Sequence, residues 1–403
     1  MLDAYIYDGI RSPIGRHAGK LAPVRPDDLA GEMIAEVVKR NALKPEDISD
    51  VILGCVTQAG EDCRNVARFA TLMSGLPPTV PGVTVNRLCA SGLQAVTDAA
   101  RAITAGEGDL YIAGGVESMS RAPFVMAKSE SPYSRDVKLY DTTIGSRFTN
   151  PRFKKLFGDH AMPETGDNVA KEFGVTRQQA DEFALASQKK YAKAEAEGFY
   201  KGEILPVTLP SRKKDAPPNV VSADEHPRRD STMEMLAKLK PLYEGGVVTA
   251  GNASGVNDGA AALVVASRAW GEKNGKKPIA KILSAASAAV EPRIMGVGPA
   301  YAIPKALERA KLALKDMDII EINEAFASQV LGCLKIMNVD FKDPRVNPNG
   351  GAIAIGHPLG CSGARLAITV SRQLQETGSK YAAVSLCIGV GQGLAVILER
   401  VQS

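Results

Sequence analysis

The sequence predicts an α/β fold of two similar halves, each a mainly parallel sheet with helices packed against it, with a polar segment inserted in the first half. Three observations carry that expectation: two stretches that can be laid over each other, the alternation of short apolar strands with helices inside each, and a change of character between them.

The elements follow in chain order. The opening "MLDAYIYDGIRSPIGRH" is a strand-like alternation followed by a turn, and it lacks the pattern of a leader segment. "ISDVILGCVTQ" is an apolar strand. In "VNRLCASGLQAVTDAARAITAGEGDLYIAGGVES" a strand end meets a Cys and a Ser-Gly pair. A helix follows, with Leu93, Val96, Ala100 and Ile103 on one face and Gly106 as its stop, and residues 110–113 form the next strand. Residues 123–246 are polar, Pro-bearing and basic, interrupted by the helical "TRQQADEFALASQKKYAKAEAEG", and are expected to lie over the surface of the first half. "VVTAGNASGVNDGAAALVVAS" returns to the core pattern. "MDIIEINEAFASQ" and "GCSGARLAITVSRQLQETGSKYAAVSLCIGVGQG" then repeat the order, with Ser362-Gly363 in the place of Ser91-Gly92, a helix ending at Gly378 and a strand over residues 381–387. The expected division is 1–122 with 247–273 as the first half, 123–246 as the insertion and 274–403 as the second half.

Composition sets limits on function. A chain of 403 residues, 45% apolar and 23% charged, has room for more than one core. The net charge of +4 is too mild and too scattered for nucleic acid, though it suits a few anionic ligand groups. No window of about 18 apolar residues predicts a membrane span, so a cytoplasmic protein is expected. The six cysteines, at 55, 63, 89, 333, 361 and 387, have no CxxC or HxxxH spacing; reduced thiols and no metal site are expected.

Free cysteines are mostly small buried hydrophobes, so position selects the exceptions. "NPNGGAIAIGHPLGCSGAR" sets His357 among glycines, with Pro358 keeping its backbone out of the helical region, which leaves a bare turn exposing one titratable side chain. Cys89 sits between a strand and a helix, where free N–H groups and the helix dipole favour a thiolate. Cys387 precedes Gly389, Gly391 and Gly393, in a loop able to present N–H groups to an oxyanion. Asn323 follows a strand in "EINEAFA". Sites in α/β sheets gather beyond the carboxyl ends of strands, so these residues are expected to meet as a Cys/His constellation with a second thiol.

The motifs "VNRLCASG", "GGVESMS", "AGNASGVNDGA", "NEAFA", "NPNGGAIAIGHPLGCSGAR" and "CIGVGQG", in this order over essentially the whole chain, resemble those of the thiolase family. The resemblance implies the thiolase fold with an inserted loop domain that binds coenzyme A, acyl-CoA and coenzyme A as substrates with no permanently bound cofactor, and a homodimer or homotetramer. It implies Cys89 as the acyl-accepting nucleophile, His357 as its base and Cys387 as the second acid/base. It also implies one oxyanion hole from His357 and a water held by Asn323, and another from the N–H groups of Cys89 and Gly389. Ser254, Ala325 and Phe326 match positions flanking the pantetheine arm, and His160 and Met162 match loop-domain contacts. Arg228 resembles a basic residue near the nucleotide, from which Arg229 is not separable in "EHPRRD". "RPDDLAG", "AGEDCRNVARFATLMSGLP", "MSRAPFVM" and "DTTIGSRFTNP" resemble the 3-oxoadipyl-CoA group, which implies cleavage to succinyl-CoA and acetyl-CoA, with Arg147 as a candidate for the distal carboxylate. The alternatives are acetoacetyl-CoA, a longer 3-oxoacyl-CoA, or a non-catalytic coenzyme A binder on the same fold. A dehydrogenase would need GxGxxG after the first strand and a serine hydrolase GxSxG, and neither is present; a ketoacyl synthase would not keep Cys387.

Overall fold

The computed structural model describes residues 1–210 and 217–402; residues 211–216, part of the basic stretch of the insertion, and residue 403 lie outside the described residues. The first half contributes β1 (Ala4–Arg11), β2 (Gly15–Arg16), α1 (Pro26–Asn41), β3 (Asp50–Gly54), α2 (Val66–Met73), β4 (Gly82–Val85), α3 (Ser91–Ala105) and β5 (Leu110–Ser118). The insertion holds β6 (Phe124–Met126), β7 (Leu139–Asp141), α4 (Pro151–Phe157), α5 (Met162–Phe173), α6 (Arg177–Ala196), β8 (Val207–Thr208), β9 (Val220–Val221) and α7 (Met233–Ala237). Then come β10 (Asn257–Ala266), α8 (Arg268–Lys273), β11 (Ala280–Ala289), α9 (Gly298–Ala310), β12 (Ile319–Ile322), α10 (Ala327–Ile336), α11 (Ala352–Ile355), α12 (Leu359–Thr377), β13 (Tyr381–Ile388) and β14 (Gln392–Arg400).

The strands run β12-β13-β14-β11-β1-β10-β5-β3-β4, and this order reads as two copies meeting at β11–β1. Strand β3 is parallel to β5 as β12 is to β13, and β5–β10–β1 is antiparallel throughout, as is β13–β14–β11. Parallel pairing, expected from strand–helix alternation, thus belongs to the outer strands. The inner ladders are antiparallel because β13 returns to β14 through a short hairpin loop and β10 arrives only after the insertion, so neither connection is a helical crossover.

The helices α3 and α12 lie side by side between the two halves of the sheet, in the core that contains Leu93, Val96, Leu366, Val370 and Leu374. Helices α1 and α2 cover the outer face of the first half, and α9 and α10 that of the second. Gly106 and Gly378 end α3 and α12 in the left-handed conformation, as the sequence predicts. The two central helices meet through glycine. A Cβ on Gly92 would stand 2.6 Å from the Gly360 carbonyl oxygen, and one on Gly363 would stand 2.3 Å from the Leu93 nitrogen. Because those neighbours are backbone, Gly363→Ala must push the helices apart, and we expect it to cost about 3 kcal/mol. An unchanged midpoint in chemical denaturation would rule out that contact.

The insertion does not simply lie on the first half. Helices α5 and α6 pack on α10, α11 and the 3-10 turn Pro292–Val297 of the second half. Their apolar residues Val169, Ala170, Ala180, Phe183 and Ala184 complete that half's outer core, and burying each larger side chain contributes about 2 kcal/mol.

Candidate active site

Cys89 lies two residues before α3 in a turn held by its own side chains. The Asn86 Oδ1 accepts from Leu88 N–H at 2.9 Å, the Ser91 hydroxyl donates to the Leu88 carbonyl at 2.6 Å, and its oxygen accepts from Arg87 N–H. Leu88 adopts a positive φ of 45°, a sparsely populated conformation for a residue with a side chain. Gly389 packs against Leu88, the residue before Cys89, and the N–H groups of Gly389 and of Cys89 itself both act to lower the Cys89 thiol. Among the described residues neither N–H donates to a backbone carbonyl.

The electrostatics differ from the expectation of a thiolate. Burial pushes the Cys89 thiol up to about 11, and the two N–H groups offset only part of that. Cys387, fully buried at the end of β13, is pushed well up by burial and then by the neighbouring sulfurs of Cys89 and Cys333. Both thiols therefore carry protons at neutral pH, and a helix N-terminus does not outweigh desolvation here.

His357 is 4% exposed, and burial followed by the nearby Arg365 lowers it to about 3, so the ring is neutral. Its backbone N–H donates to Asn257 Oδ1 at 2.9 Å, and Gly356 before it has φ 109°, where any side chain would strike Asn257. Ser362 Oγ stands 2.6 Å from Nδ1 and 2.9 Å from the Pro358 carbonyl. The hydroxyl donates to that carbonyl, so the network assigns the ring proton to Nδ1 and leaves the lone pair on Nε2. The Asn323 amide nitrogen lies 3.4 Å from Nε2 and 3.5 Å from Nδ1, and its Oδ1 is buried and unpaired among the described residues. The glycine contacts of α3 and α12 place the turns carrying Cys89 and His357 at the same end of the central layer.

Cys387 belongs to a small apolar cluster with Ala253, Met295, Ala325 and Phe326, against which Met162 packs. Ser254 N–H donates to the Ala325 carbonyl at 2.9 Å, so the expected Ser254, Ala325, Phe326 and Met162 positions are together. His160 is exposed beside Gly158, outside that cluster. The two arginines separate: Arg229 is ion-paired with Glu195, whereas Arg228 is exposed and lines a cavity of ≈ 140 Å³ with His226, Ser231 and Leu239. Arg147 donates to the Thr57 carbonyl at 3.2 Å, on the loop that leaves β3. The donors of Cys55, Asp62 and Glu117 lie within 4.8 Å of one another, but backbone N–H groups occupy both carboxylates and burial keeps the Cys55 thiol protonated. That group is built to satisfy backbone donors.

Sequence reasoning missed Ser362, Asn257 and Glu117. The Ser-Gly pair of the second repeat was a signal for Ser362, because its position five residues after His357 returns the hydroxyl to the ring across the first turn of α12. Asn257 and Glu117 arrive from separate strands, and spacing cannot report them.

Comparison with known proteins gives a consistent answer. The family described as "Thiolase, N-terminal domain" matches residues 4–269, and "Thiolase, C-terminal domain" matches residues 276–400. The chain is 55% identical to the "3-oxoadipyl-CoA/3-oxo-5,6-dehydrosuberyl-CoA thiolase" of Escherichia coli (strain K12), over 100% of both chains. It is 54% identical to a "Beta-ketoadipyl-CoA thiolase" of Acinetobacter baylyi, again over 100% of both. The crystal structure of a Bacillus anthracis acetyl-CoA acetyltransferase superposes with a TM-score of 0.92 at 39% identity, covering 100% of this chain and 99% of the other.

Proposed function

The chain belongs to the thiolase family and is an acyltransferase; from that premise we propose that it thiolyses 3-oxoadipyl-CoA with free coenzyme A, giving succinyl-CoA and acetyl-CoA, through an acyl group on Cys89. The observation that carries the acyl transfer is the meeting of the two helix starts that follow Cys89 and His357, through Gly92 against Gly360, with Gly389 packed on Leu88 next to Cys89. The substrate rests on the full-length relatives at 54–55% identity, whose names carry this substrate.

With both thiols protonated, proton and bond must move together. The Cys89 sulfur attacks the 3-oxo carbon while its proton passes to His357 Nε2, and the two N–H groups hold the tetrahedral oxyanion. The bond between carbons 2 and 3 then breaks, and carbon 2 takes a proton from Cys387 to leave as acetyl-CoA. The departing enolate oxygen is held by protonated His357 and a water on Asn323. In the second half, coenzyme A gives its thiol proton to Cys387 and attacks the acyl-Cys89, whose sulfur recovers its proton from His357. All three groups return to their starting state. Ser362 holds the imidazole in the tautomer that this sequence needs.

We assign residues 123–246 as the loop domain that receives coenzyme A, between a first half of 1–122 with 247–273 and a second half of 274–403. The arm would run past Met162, Ser254, Ala325 and Phe326, with His160 at the loop-domain side and Arg228, free of the Glu195 pair, toward the nucleotide phosphates. No helix among the described residues is long and apolar enough to cross a membrane, which fits a cytoplasmic enzyme. The sheet ends at β4, and the exposed Val83, Phe69 and Met73 around that edge suit a second copy, so a homodimer or homotetramer is expected in sedimentation.

Thiolysis followed side by side on 3-oxoadipyl-CoA and acetoacetyl-CoA tests the substrate. A kcat/KM for the dicarboxylate at least about tenfold higher is expected, and a preference for acetoacetyl-CoA overturns the assignment. Arg147→Gln should lower kcat/KM for 3-oxoadipyl-CoA by about 10- to 100-fold and leave acetoacetyl-CoA within about twofold, because only the former presents a distal carboxylate.

A further inference from the structure

Glu117 is fully buried on β5 and takes no part in the chemistry above, yet its carboxylate joins the loop that leaves β3 to the helix start that follows His357. Its Oε2 accepts from Val56 N–H at 3.0 Å and from Gly360 N–H at 2.8 Å, and its Oε1 accepts from Thr57 N–H at 3.0 Å. Val56 and Thr57 lie on the loop that leaves β3. Gly360 is the second residue of α12, three residues after His357, and its N–H is one of the donors that a helix start leaves without an internal partner. A single side chain of the first half therefore caps the helix of the second half that begins beside the base. Helix caps are usually local; this one spans 243 residues of sequence.

We propose that Glu117 is a positioning residue for the acyl-transfer site, fixing the His357 turn against the first half of the molecule through Gly360, Val56 and Thr57. This rests on the acyl-transfer reading given above. Two further facts support it. The first turn of α12 is seated on the strands that carry Glu117 and the β3 loop, since a Cβ on Gly360 would stand 2.5 Å from the Val116 carbonyl oxygen and 2.7 Å from that of Gly54. Burial, followed by the opposing effect of its amide and hydroxyl donors at Thr57 and Gly360 and the field of Asp62, leaves Glu117 at about 7. The titratable groups facing it are Asp62 and Cys55 from the β3 loop, Cys89 before α3 and Cys361 on α12.

The test pairs Glu117→Gln with Glu117→Asp. The amide keeps the shape, loses the charge and turns an NH2 toward a backbone donor; the shorter acid keeps the charge but loses its reach to Gly360. Both should lower kcat for thiolysis by about 10- to 100-fold with KM within about threefold, as expected when orientation is lost while binding is kept. Iodoacetamide labelling of Cys89 at pH 8, without substrate, reads whether the nucleophile's own turn is disturbed. Both variants should label within about twofold of wild type, because the contacts they lose are to Gly360, Val56 and Thr57 and not to the Cys89 turn. A general loosening of the fold would change labelling together with kcat. Unchanged kcat in both variants, or labelling that changes in step with kcat, overturns the proposal. Labelling needs no acyl-CoA, so a changed labelling rate overturns the Glu117 proposal even if wild type fails to thiolyse either substrate, an outcome that would count against the acyl-transfer reading alone.

Discussion

Cys89→Ala should lose thiolysis by on the order of 10⁴-fold or more in kcat while still binding acyl-CoA, because the variant keeps the pantetheine cluster and both N–H groups but has no atom to accept the acyl group. The size of the effect follows from the architecture. Cys387 is also a thiol, but it is fully buried at the end of β13 and more strongly desolvated, so it cannot replace Cys89 as the acyl acceptor. Turnover with acetoacetyl-CoA or 3-oxoadipyl-CoA and binding by calorimetry on the same preparation check it. Residual turnover within tenfold of wild type would mean that another residue carries the acyl group.

His357→Ala should lower kcat by about 10²- to 10⁴-fold, the usual contribution of a positioned base, with little change in the circular dichroism of the fold. The same residue leaves a mark on stability, and its sign is fixed by the depressed value of about 3. An unfolded histidine takes its proton near about 6.5, whereas folded His357 stays neutral until about pH 3. The stability linked to a neutral His357 is therefore complete above pH 6.5 and is lost as the pH falls from there toward 3. Wild type should lose stability over that window faster than His357→Ala when the two are compared by urea denaturation at stepped pH. A steeper loss in the variant would contradict the buried neutral ring.

Much of this was legible in the chain because repetition and glycine are strong signals. Two Ser-Gly pairs before two helices announced the two-fold layout, and the glycines prove to be the contact itself, with Gly92 against Gly360 and Gly363 against Leu93. His357 stood out as the one titratable group in a bare turn, and Asn323 and Cys387 as polar or reactive groups at strand ends. What stayed hidden depends on tertiary placement. The acidity of Cys89 had the wrong expected sign because a dipole can be read from a helix start, whereas desolvation by the opposing half cannot. The antiparallel inner ladders were hidden for a related reason, since strand–helix alternation reports connections and β10 reaches its neighbours through the long insertion. Helices α5 and α6 went to the second half because their apolar faces match its outer core. Arg228 and Arg229 became distinct only when Glu195 claimed one of them.

The most direct measurement is mass analysis of the enzyme after brief incubation with succinyl-CoA in the absence of an acceptor, followed by peptide mapping. The account predicts one succinyl group per chain, on the peptide carrying Cys89, discharged on addition of coenzyme A and absent from Cys89→Ala. An acyl group mapped to Cys387, or turnover with no acyl-enzyme at any time, would contradict it.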